Sequence, residues 1–286
     1  MKNNYKMGEG EALPQFCTLH FAFCINNKEV VIMIDFHCHI LPGIDDGARS
    51  MEEAVELCRI AADNNIQKSI VTPHLAHPEE VDEFIKLRDR RLDELRNELN
   101  RRNIELELYP ATEVFVNDDI FYAPKLDAAT INGTKYILIE FDFRGLNINR
   151  LIKYVNEFVA RGYQPIIAHP ERYIYMQREY DIVNHLADMG VLFQLNSASL
   201  AGWMGMEAKE LSFAMAANGL ASFIGTDAHS VAHRPTNLLE QSRSFPYSIP
   251  PEVYERLTQT NAQAVLEGKE VQRDAMYPIR PKRFYR

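Results

Sequence analysis

The chain has 286 residues, of which 46% are hydrophobic and 25% charged, as expected for one large globular domain or two small ones. Its net charge of −9 argues against a broad basic surface for nucleic acid, although bound divalent ions still allow an anionic substrate. Because no apolar run approaches the roughly 18 residues that a membrane span needs, direct membrane insertion is not expected.

Residues 1–32 show no clear periodicity and precede the first predicted core strand. We interpret them as a poorly ordered N-terminal extension and residues 33–286 as a single domain. The apolar segment Phe16–Phe23 lacks a basic flank and a small-residue cleavage site, which argues against a signal peptide. The four cysteines lack CxxC spacing, so reduced thiols and a cytoplasmic location are expected.

Strand and helix patterns alternate along the rest of the chain, with a looser stretch at 117–134. This alternation predicts a parallel sheet, for which a closed or distorted (β/α) barrel is favoured and a doubly wound open sheet is the alternative. The predicted strands are Val30–Ile34, Ile66–Val71, Ile104–Tyr109, Lys135–Phe141, Gln164–Ala168, Val191–Leu195 and Ala221–Gly225. The predicted helices are 51–64, 78–102, Asn149–Ala160, Gln177–Asp188, Met206–Ala217, Pro251–Thr258 and Asn261–Leu266.

Histidines and carboxylates recur at or just after the ends of these predicted strands. In a parallel barrel those ends form one rim, where active sites lie. His37 and His39 point to the same side of an extended backbone, and the nearby Asp45-Asp46 pair adds hard oxygen ligands. The sequence therefore predicts a metal site, although histidines that only cap strands are the alternative. The rim residues are His37, His39, His74, Glu113, Glu140, His169, Asp227 and His229.

The mixture of histidines and several carboxylates indicates more than one ion. Two ions that share a water favour hydrolysis of a phosphate ester or an amide. Arg172 follows His169 by three residues and Arg234 follows His229 by five, which favours phosphate because a guanidinium matches two phosphoryl oxygens. A structural salt bridge is the alternative for each arginine. By contrast, His77 and His185 are not expected to be ligands, and the role of His233 beside Arg234 stays open.

Four motifs resemble the PHP (polymerase and histidinol phosphatase) superfamily: His37-Cys-His39, Thr72-Pro-His74, Ala168-His-Pro-Glu-Arg172 and Gly225-Thr-Asp-Ala-His229. The segments 40–47, 138–141 and 194–197 look like those of manganese-dependent protein-tyrosine phosphatases encoded with capsule and exopolysaccharide genes. The resemblance runs from Met33 to about Gly268. It implies a distorted (β/α)7 barrel of the PHP type with three divalent ions, Mn²⁺ foremost and iron or zinc as alternatives.

The resemblance also implies which residues bind which group. His37, His39, Glu113 and Asp227 would hold one ion; His74, His169 and a bridging Glu113 the second; and Asp46, Glu140 and His229 the third. Arg172 and Arg234 would bind the phosphoryl oxygens while a metal-bridging hydroxide attacks phosphorus.

By this resemblance the chain is a protein-tyrosine phosphatase whose partner is a bacterial tyrosine autokinase that controls polysaccharide export. Three alternatives stay open: a phosphatase for histidinol phosphate or another small phosphoester, a phosphodiesterase or nuclease, and a non-catalytic PHP module that binds metal. The acidic balance disfavours the nuclease, and the complete donor set with both arginines disfavours the non-catalytic module. The sequence leaves the oligomeric state open.

Overall fold

Every strand pairing in the computed structural model is parallel. The structure describes residues 33–77, 80–123, 126–145, 147–237, 249–273 and 275–280, so the interpretation of residues 1–32 lies outside the described residues. The strands are β1 (Met33–Cys38), β2 (Ile66–Val71), β3 (His74–Leu75), β4 (Glu107–Pro110), β5 (Glu113–Phe115), β6 (Tyr136–Glu140), β7 (Gln164–Ala168), β8 (Leu192–Asn196) and β9 (Phe223–Gly225).

The strand order is β1-β2-β4 in one sheet and β3-β5-β6-β7-β8-β9 in the other. Only two residues separate β2 from β3 and β4 from β5, so each pair is one interrupted strand. Pro73 lies in the first interruption, where a residue without an N–H breaks the hydrogen-bond ladder. Its carbonyl still accepts from the Glu113 N–H at 3.2 Å, which continues the pairing across the break.

Backbone hydrogen bonds also join the two ends of this strand series. The Asp227 N–H donates to His37 O at 2.7 Å, and the His39 N–H donates to Ala228 O at 2.8 Å. The residues after β9 are thereby paired with β1, which gives the arrangement of a distorted (β/α)7 barrel. The predicted fold class is confirmed, and the open doubly wound sheet is excluded for the described residues.

The main helices follow the predicted boundaries closely. Ser50 caps the first of them by accepting from the Glu53 N–H at 3.2 Å, as its capping-box pattern predicts. The predicted helix at 177–188 is instead two helices that meet at Glu179. The helices are α1 (Met51–Asp63), α2 (Val81–Arg101), α3 (Ile148–Ala160), α4 (Ile174–Arg178), α5 (Tyr180–Asp188), α6 (Ser197–Ala201), α7 (Met206–Ala217), α8 (Pro251–Glu255) and, after a π-helical turn at 256–260, α9 (Asn261–Leu266).

The core lies between the central strands and the helices around them. Strands β6 and β8 are buried at every position, as expected for strands of a parallel sheet covered on both faces. The inward side of α2 is not purely apolar, because Leu87 is only half-buried whereas the neighbouring Arg88 is buried. The Arg88 guanidinium donates to Ala128 O at 2.8 Å and to Thr112 Oγ1 at 3.2 Å, so its charge is solvated by the turn at 126–129 and by the residue directly before Glu113.

Candidate metal centre

The predicted donors all lie at the C-terminal ends of the barrel strands or just beyond them. His37, His74, Glu113 and Glu140 belong to strands, whereas His39, His169, Asp227 and His229 follow them directly. Asp46 lies in the loop between β1 and α1. Parallel pairing brings these positions to one face, and their ligand atoms approach one another closely enough to hold ions.

His37 and His39 form the most buried part of the cluster. Their Nε2 atoms lie 2.9 Å apart, and each lies 3.2 Å from Glu113 Oε2. Asp227 Oδ1 lies 3.7 Å from the first nitrogen and 3.5 Å from the second. The structure therefore brings together the four residues that the resemblance assigns to one ion.

The outer nitrogens of these two rings have partners that can only accept hydrogen bonds. His37 Nδ1 lies 2.8 Å from Gln194 Oε1, and His39 Nδ1 lies 2.8 Å from Asp45 Oδ2. The Gln194 amide is oriented by its own contacts, since its Nε2 donates to Leu195 O at 2.7 Å and to Asn196 Oδ1 at 3.0 Å. Both imidazoles thus carry their proton on Nδ1 and direct the Nε2 lone pair inward.

This arrangement fits a cation. Two nitrogen lone pairs and two carboxylates converge in a fully buried space, where they would repel one another unless a positive charge lies between them. Imidazole and carboxylate together suit manganese, iron or zinc. The donor set therefore has the chemistry of a metal site, and its arrangement disfavours strand-capping histidines.

A second group of donors adjoins the first through Glu113. His169 Nε2 lies 2.9 Å from Glu113 Oε1 and 3.5 Å from Glu140 Oε1. His74 Nδ1 lies 3.1 Å from Glu113 Oε2 and 3.7 Å from Glu140 Oε2. Each carboxylate thus faces two imidazoles, which is the geometry of a bridging ligand.

The third group lies at the more exposed side of the centre. Asp46 Oδ1 is 3.5 Å from both His74 Nε2 and His229 Nε2. The His229 ring bonds Asp227 O through Nδ1 at 2.9 Å, which directs its Nε2 toward Asp46. The grouping differs from the implied one, because Glu140 lies with Glu113 and His74 while His39 joins Asp46, His74 and His229. The reason is strand order: β6 adjoins β5, whereas the segments with Asp46 and His229 flank β1.

Burial and neighbouring charges shift the pKa values of the donors in opposite directions. Burial, reinforced by the charges of Glu113 and Asp227, raises the pKa of Glu140 to about 9. Burial lowers the pKa of His169 to about 4. For Asp227 burial acts upward, but the positive charges of His37, in its protonated form, and of Arg234 prevail and hold its pKa well below the usual range. Such divergent shifts in one cleft are typical of a functional site.

Two of the donors have strained backbones. His169 (φ 33°) and Asp227 (φ 53°) are in the left-handed region, which non-glycine residues seldom occupy. The neighbouring Thr226 is held by the buried Asp35, whose carboxylate accepts from its N–H at 2.8 Å and from its Oγ1 at 2.6 Å. Strain at two donors, supported by such contacts, indicates selection for the position of the side chain.

Both predicted phosphate-binding arginines reach the outer oxygen of Asp227. Arg172 Nη1 donates to Asp227 Oδ2 at 3.0 Å, and Arg234 Nη2 contacts the same oxygen. Each of the two arginine side chains remains about a quarter exposed. Each arginine therefore forms the salt bridge that was its alternative role. Both cations also lie beside the donor cluster, and part of each side chain is open to solvent.

Sequence reasoning did not assign roles to several polar residues beside the cluster. Gln194 and Asn196 are fully buried on β8, and Asn196 Nδ2 donates to Asp227 Oδ2 at 2.6 Å. Polar residues two apart on an otherwise buried strand are the signal that could have identified them. His77 and His185, which were not expected to be ligands, are exposed, and so is His233, whose role the sequence left open.

Fold and donor set together define a PHP-type (β/α)7 barrel with a centre suited to several divalent ions. Residues 33–267 match the family described as "Capsular polysaccharide synthesis, CpsB/CapC". The chain therefore belongs to this family, and the resemblance noted in the sequence is confirmed.

Curated relatives extend along most of the chain. The tyrosine-protein phosphatase YwqE of Bacillus subtilis is 31% identical over 88% of this chain and 99% of its own length. CapC of Staphylococcus aureus is 36% identical over 71% of this chain and 79% of its own length. The tyrosine-protein phosphatase CpsB of Streptococcus agalactiae is 26% identical over 82% of this chain and 99% of its own length.

The fold also matches a solved structure of this family. It comes from crystal structures of YwqE from Bacillus subtilis and CpsB from Streptococcus pneumoniae, described as unique metal-dependent tyrosine phosphatases. The TM-score is 0.78 at 29% identity, over 87% of this chain and all of the solved chain. Within the part of the chain that the structure describes, no helix is both long and apolar enough to cross a membrane.

Proposed function

We propose that this protein is a metal-dependent protein-tyrosine phosphatase. The observation that carries the proposal is the convergence of Arg172 and Arg234 on Asp227, one oxygen of which faces the buried histidines. Two arginines with partly exposed side chains beside a cluster of metal donors would form a site for a phosphate dianion. The family relatives named tyrosine-protein phosphatases support the same class of substrate.

The proposed centre holds three divalent ions, with Mn²⁺ as the first candidate. His37, His39, Glu113 and Asp227 would hold one ion, and His74, Glu113, Glu140 and His169 the second, while Asp46 and His229 would remain as donors to the third. Bound ions would supply a hydroxide nucleophile and offset the negative charge of the phosphate.

The chain's own residues position the substrate. Arg172 and Arg234 would bind phosphoryl oxygens and stabilise the charge that develops on them during transfer. A phenol with a pKa of about 10 leaves more readily than an aliphatic alkoxide, so tyrosine as leaving group needs little help from a general acid.

The proposed physiological substrate is a bacterial tyrosine autokinase that controls capsule or exopolysaccharide synthesis. The resemblance to capsule-type phosphatases and the family's description support it. A cytoplasmic location belongs to the same proposal, and the free, buried thiols of Cys38 and Cys58 are compatible with it.

The test is turnover by metal-stripped protein resupplied with manganese. We expect manganese-dependent hydrolysis of a phosphotyrosine peptide, with much slower hydrolysis of a phosphoserine peptide and of histidinol phosphate. Preference for histidinol phosphate would contradict the protein-phosphatase proposal. Inactivity on all three substrates with manganese, iron and zinc would favour a non-catalytic module.

A further inference from the structure

Large apolar side chains are exposed on the barrel face that carries the candidate metal centre. Trp203 is 56% exposed and Met206 is 62% exposed. Both lie where the chain passes from α6, which directly follows β8, into α7. Strands β6 to β9 are neighbours in the sheet, so the loops that follow them emerge at the end of the barrel that carries the donors, and each of these loops leads to an exposed apolar residue. We call this set the apolar rim: Ile148, Ile174, Trp203, Met206 and Val231.

The apolar rim is continuous with the proposed phosphate site. The Arg172 guanidinium lies over the Phe143 ring, with Cζ 4.7 Å from the ring centroid. The same ring stacks on His169 with a centroid distance of 5.4 Å, and Phe143 O accepts from the Ile174 N–H at 3.1 Å. An exposed rim residue is thus hydrogen-bonded to the backbone of the phenylalanine whose ring contacts the Arg172 guanidinium.

A second connection runs through β8. The Asn196 N–H donates to Glu171 Oε1 at 2.9 Å, which ties the start of α6 to the turn that carries Arg172. The Trp203 N–H donates to Ala198 O at 2.9 Å, which folds Trp203 back over the end of α6. Helix α7, which begins at Met206, also packs against the Arg172 turn and against α4, so the elements that carry Met206 and Ile174 adjoin this turn.

We propose that the apolar rim binds the residues on either side of phosphotyrosine in an extended polypeptide, with a preference for apolar neighbours. The inference rests on the proposed function, because a polypeptide substrate extends past the metal centre and must cross the rim. Tryptophan and methionine are enriched in protein interfaces. The chain's net charge of −9 disfavours acidic residues beside the phosphotyrosine, and the exposed Trp203 and Met206 side chains offer contacts to apolar ones.

The kinetic test compares a phosphotyrosine peptide that has leucine on both sides of the tyrosine with p-nitrophenyl phosphate, which has no flanking residues. We expect Trp203→Ala to lower the ratio of the two kcat/KM values about tenfold, as for an aromatic interface anchor, and Trp203→Phe to restore most of it. Tyr277→Ala is the matched control: Tyr277 is 63% exposed, and its N–H bonds Asn218 O beyond the far end of α7. A ratio that is unchanged, or changed equally by Tyr277→Ala, overturns the proposal.

A binding measurement separates this inference from the proposed function. Trp203 is the only tryptophan of the chain, so its fluorescence reports directly on the rim. A peptide with a non-hydrolysable phosphonate in place of the phosphate should shift the Trp203 emission to shorter wavelength and protect it from acrylamide. Phenylphosphonate should do neither at constant manganese.

Each outcome decides one of the two ideas. If p-nitrophenyl phosphate is not hydrolysed with any metal, the proposed function fails, and the fluorescence titration still tests the rim. If the phosphonate peptide inhibits turnover but leaves Trp203 emission unchanged, the rim proposal fails alone. Emission that depends on protein concentration, together with a dimer in sedimentation, would identify the rim as a contact between two copies and also overturn the proposal.

Discussion

Gln194 and Asn196 connect the outer atoms of two candidate ligands through one strand. Gln194 accepts from His37 Nδ1, and Asn196 donates to Asp227 Oδ2 at 2.6 Å. The first contact selects the tautomer that leaves His37 Nε2 free for a metal, and the second turns Asp227 Oδ1 inward. Partners of this kind typically contribute 10- to 100-fold to metal affinity.

Gln194→Met tests the role of this amide. The thioether keeps the approximate volume of the side chain but cannot bind the His37 Nδ1 proton, so we expect the affinity for manganese to fall about 10- to 100-fold. Measurement would be by competition with a fluorescent chelator, together with the NMR signature of the His37 tautomer in metal-free protein.

The matched control for this substitution is Asn261→Leu. Asn261 is also buried, and its amide donates to Ser222 O at 3.0 Å and Gln272 O at 3.1 Å, away from the metal donors. Both substitutions should cost about 1–3 kcal/mol of stability, because each leaves a buried carbonyl without its donor. Equal metal affinity in the two variants would contradict the assigned role.

Arg172 and Arg234 are expected to act on turnover rather than on metal binding. Their contacts are to Asp227 Oδ2, whereas Oδ1 faces the histidines. We expect Arg172→Ala and Arg234→Ala each to reduce kcat/KM for a phosphotyrosine peptide about 100-fold, as for other donors to developing charge. Arg150→Ala, which removes an exposed ion pair with Asp118, should change it little. Metal analysis checks the distinction: loss of bound manganese in either site variant would refute the role.

The candidate metal centre could be predicted from the sequence as far as the ends of parallel strands determine where its donors lie. His37, Glu113 and Glu140 are found together because parallel strands end at one face, which follows from the order of elements alone. The partition of donors among ions was not predictable, because it depends on which strands adjoin. Likewise, the contact between Gln194 and His37 spans 157 positions and follows from cross-strand distance.

Element boundaries were predicted best where a local signal sets them. The capping box starts α1 at the expected residue, and strand β2 matches its prediction at both ends. The two interrupted strands and the division of α4 from α5 were missed, because they arise from curvature of the barrel and from packing on the Arg172 turn. The burial of Arg88 was also missed, because it depends on an acceptor from a loop that is distant in the sequence.

The close approach of β9 to β1 depends on a glycine. A Cβ atom added at Gly225 would lie 2.7 Å from His37 Cβ and 2.8 Å from His37 N. Gly225→Ala must therefore push His37, a candidate ligand, and strand β1 away from β9. We expect a loss of about 1–3 kcal/mol in the free energy of unfolding. Bound manganese should fall as well.

Gly145→Ala is the control for this substitution. A Cβ at Gly145 meets no atom within 4 Å, so its alanine variant should unfold at nearly the same denaturant concentration as the parent protein. Chemical denaturation and metal analysis of both variants give the comparison. If the two alanine variants lose similar stability and both retain metal, the strand contact at His37 does not constrain the centre.

At the scale of the whole molecule, metal binding and folding should be coupled. The donors come from β1, β3, β5, β6 and the segments after β7 and β9, so an ion bound among them connects most of the barrel. A ligand that binds only the folded state at 100 times its Kd stabilises the fold by about 2.7 kcal/mol. For a domain of 150–250 residues, each kcal/mol corresponds to about 2–4 °C in Tm.

We therefore expect saturating manganese to raise the Tm of the metal-stripped protein by about 5–10 °C for each ion bound at that excess. Glu113→Gln should remove most of this increase, because Glu113 faces His37, His39, His74 and His169. Glu107→Gln, an exposed change on the neighbouring β4, should keep it. Differential scanning calorimetry with and without manganese measures both differences. An equal rise in the two variants would place the stabilising ion elsewhere in the chain, whereas a rise lost only with Glu113→Gln would identify these buried donors as the site through which metal binding stabilises the barrel.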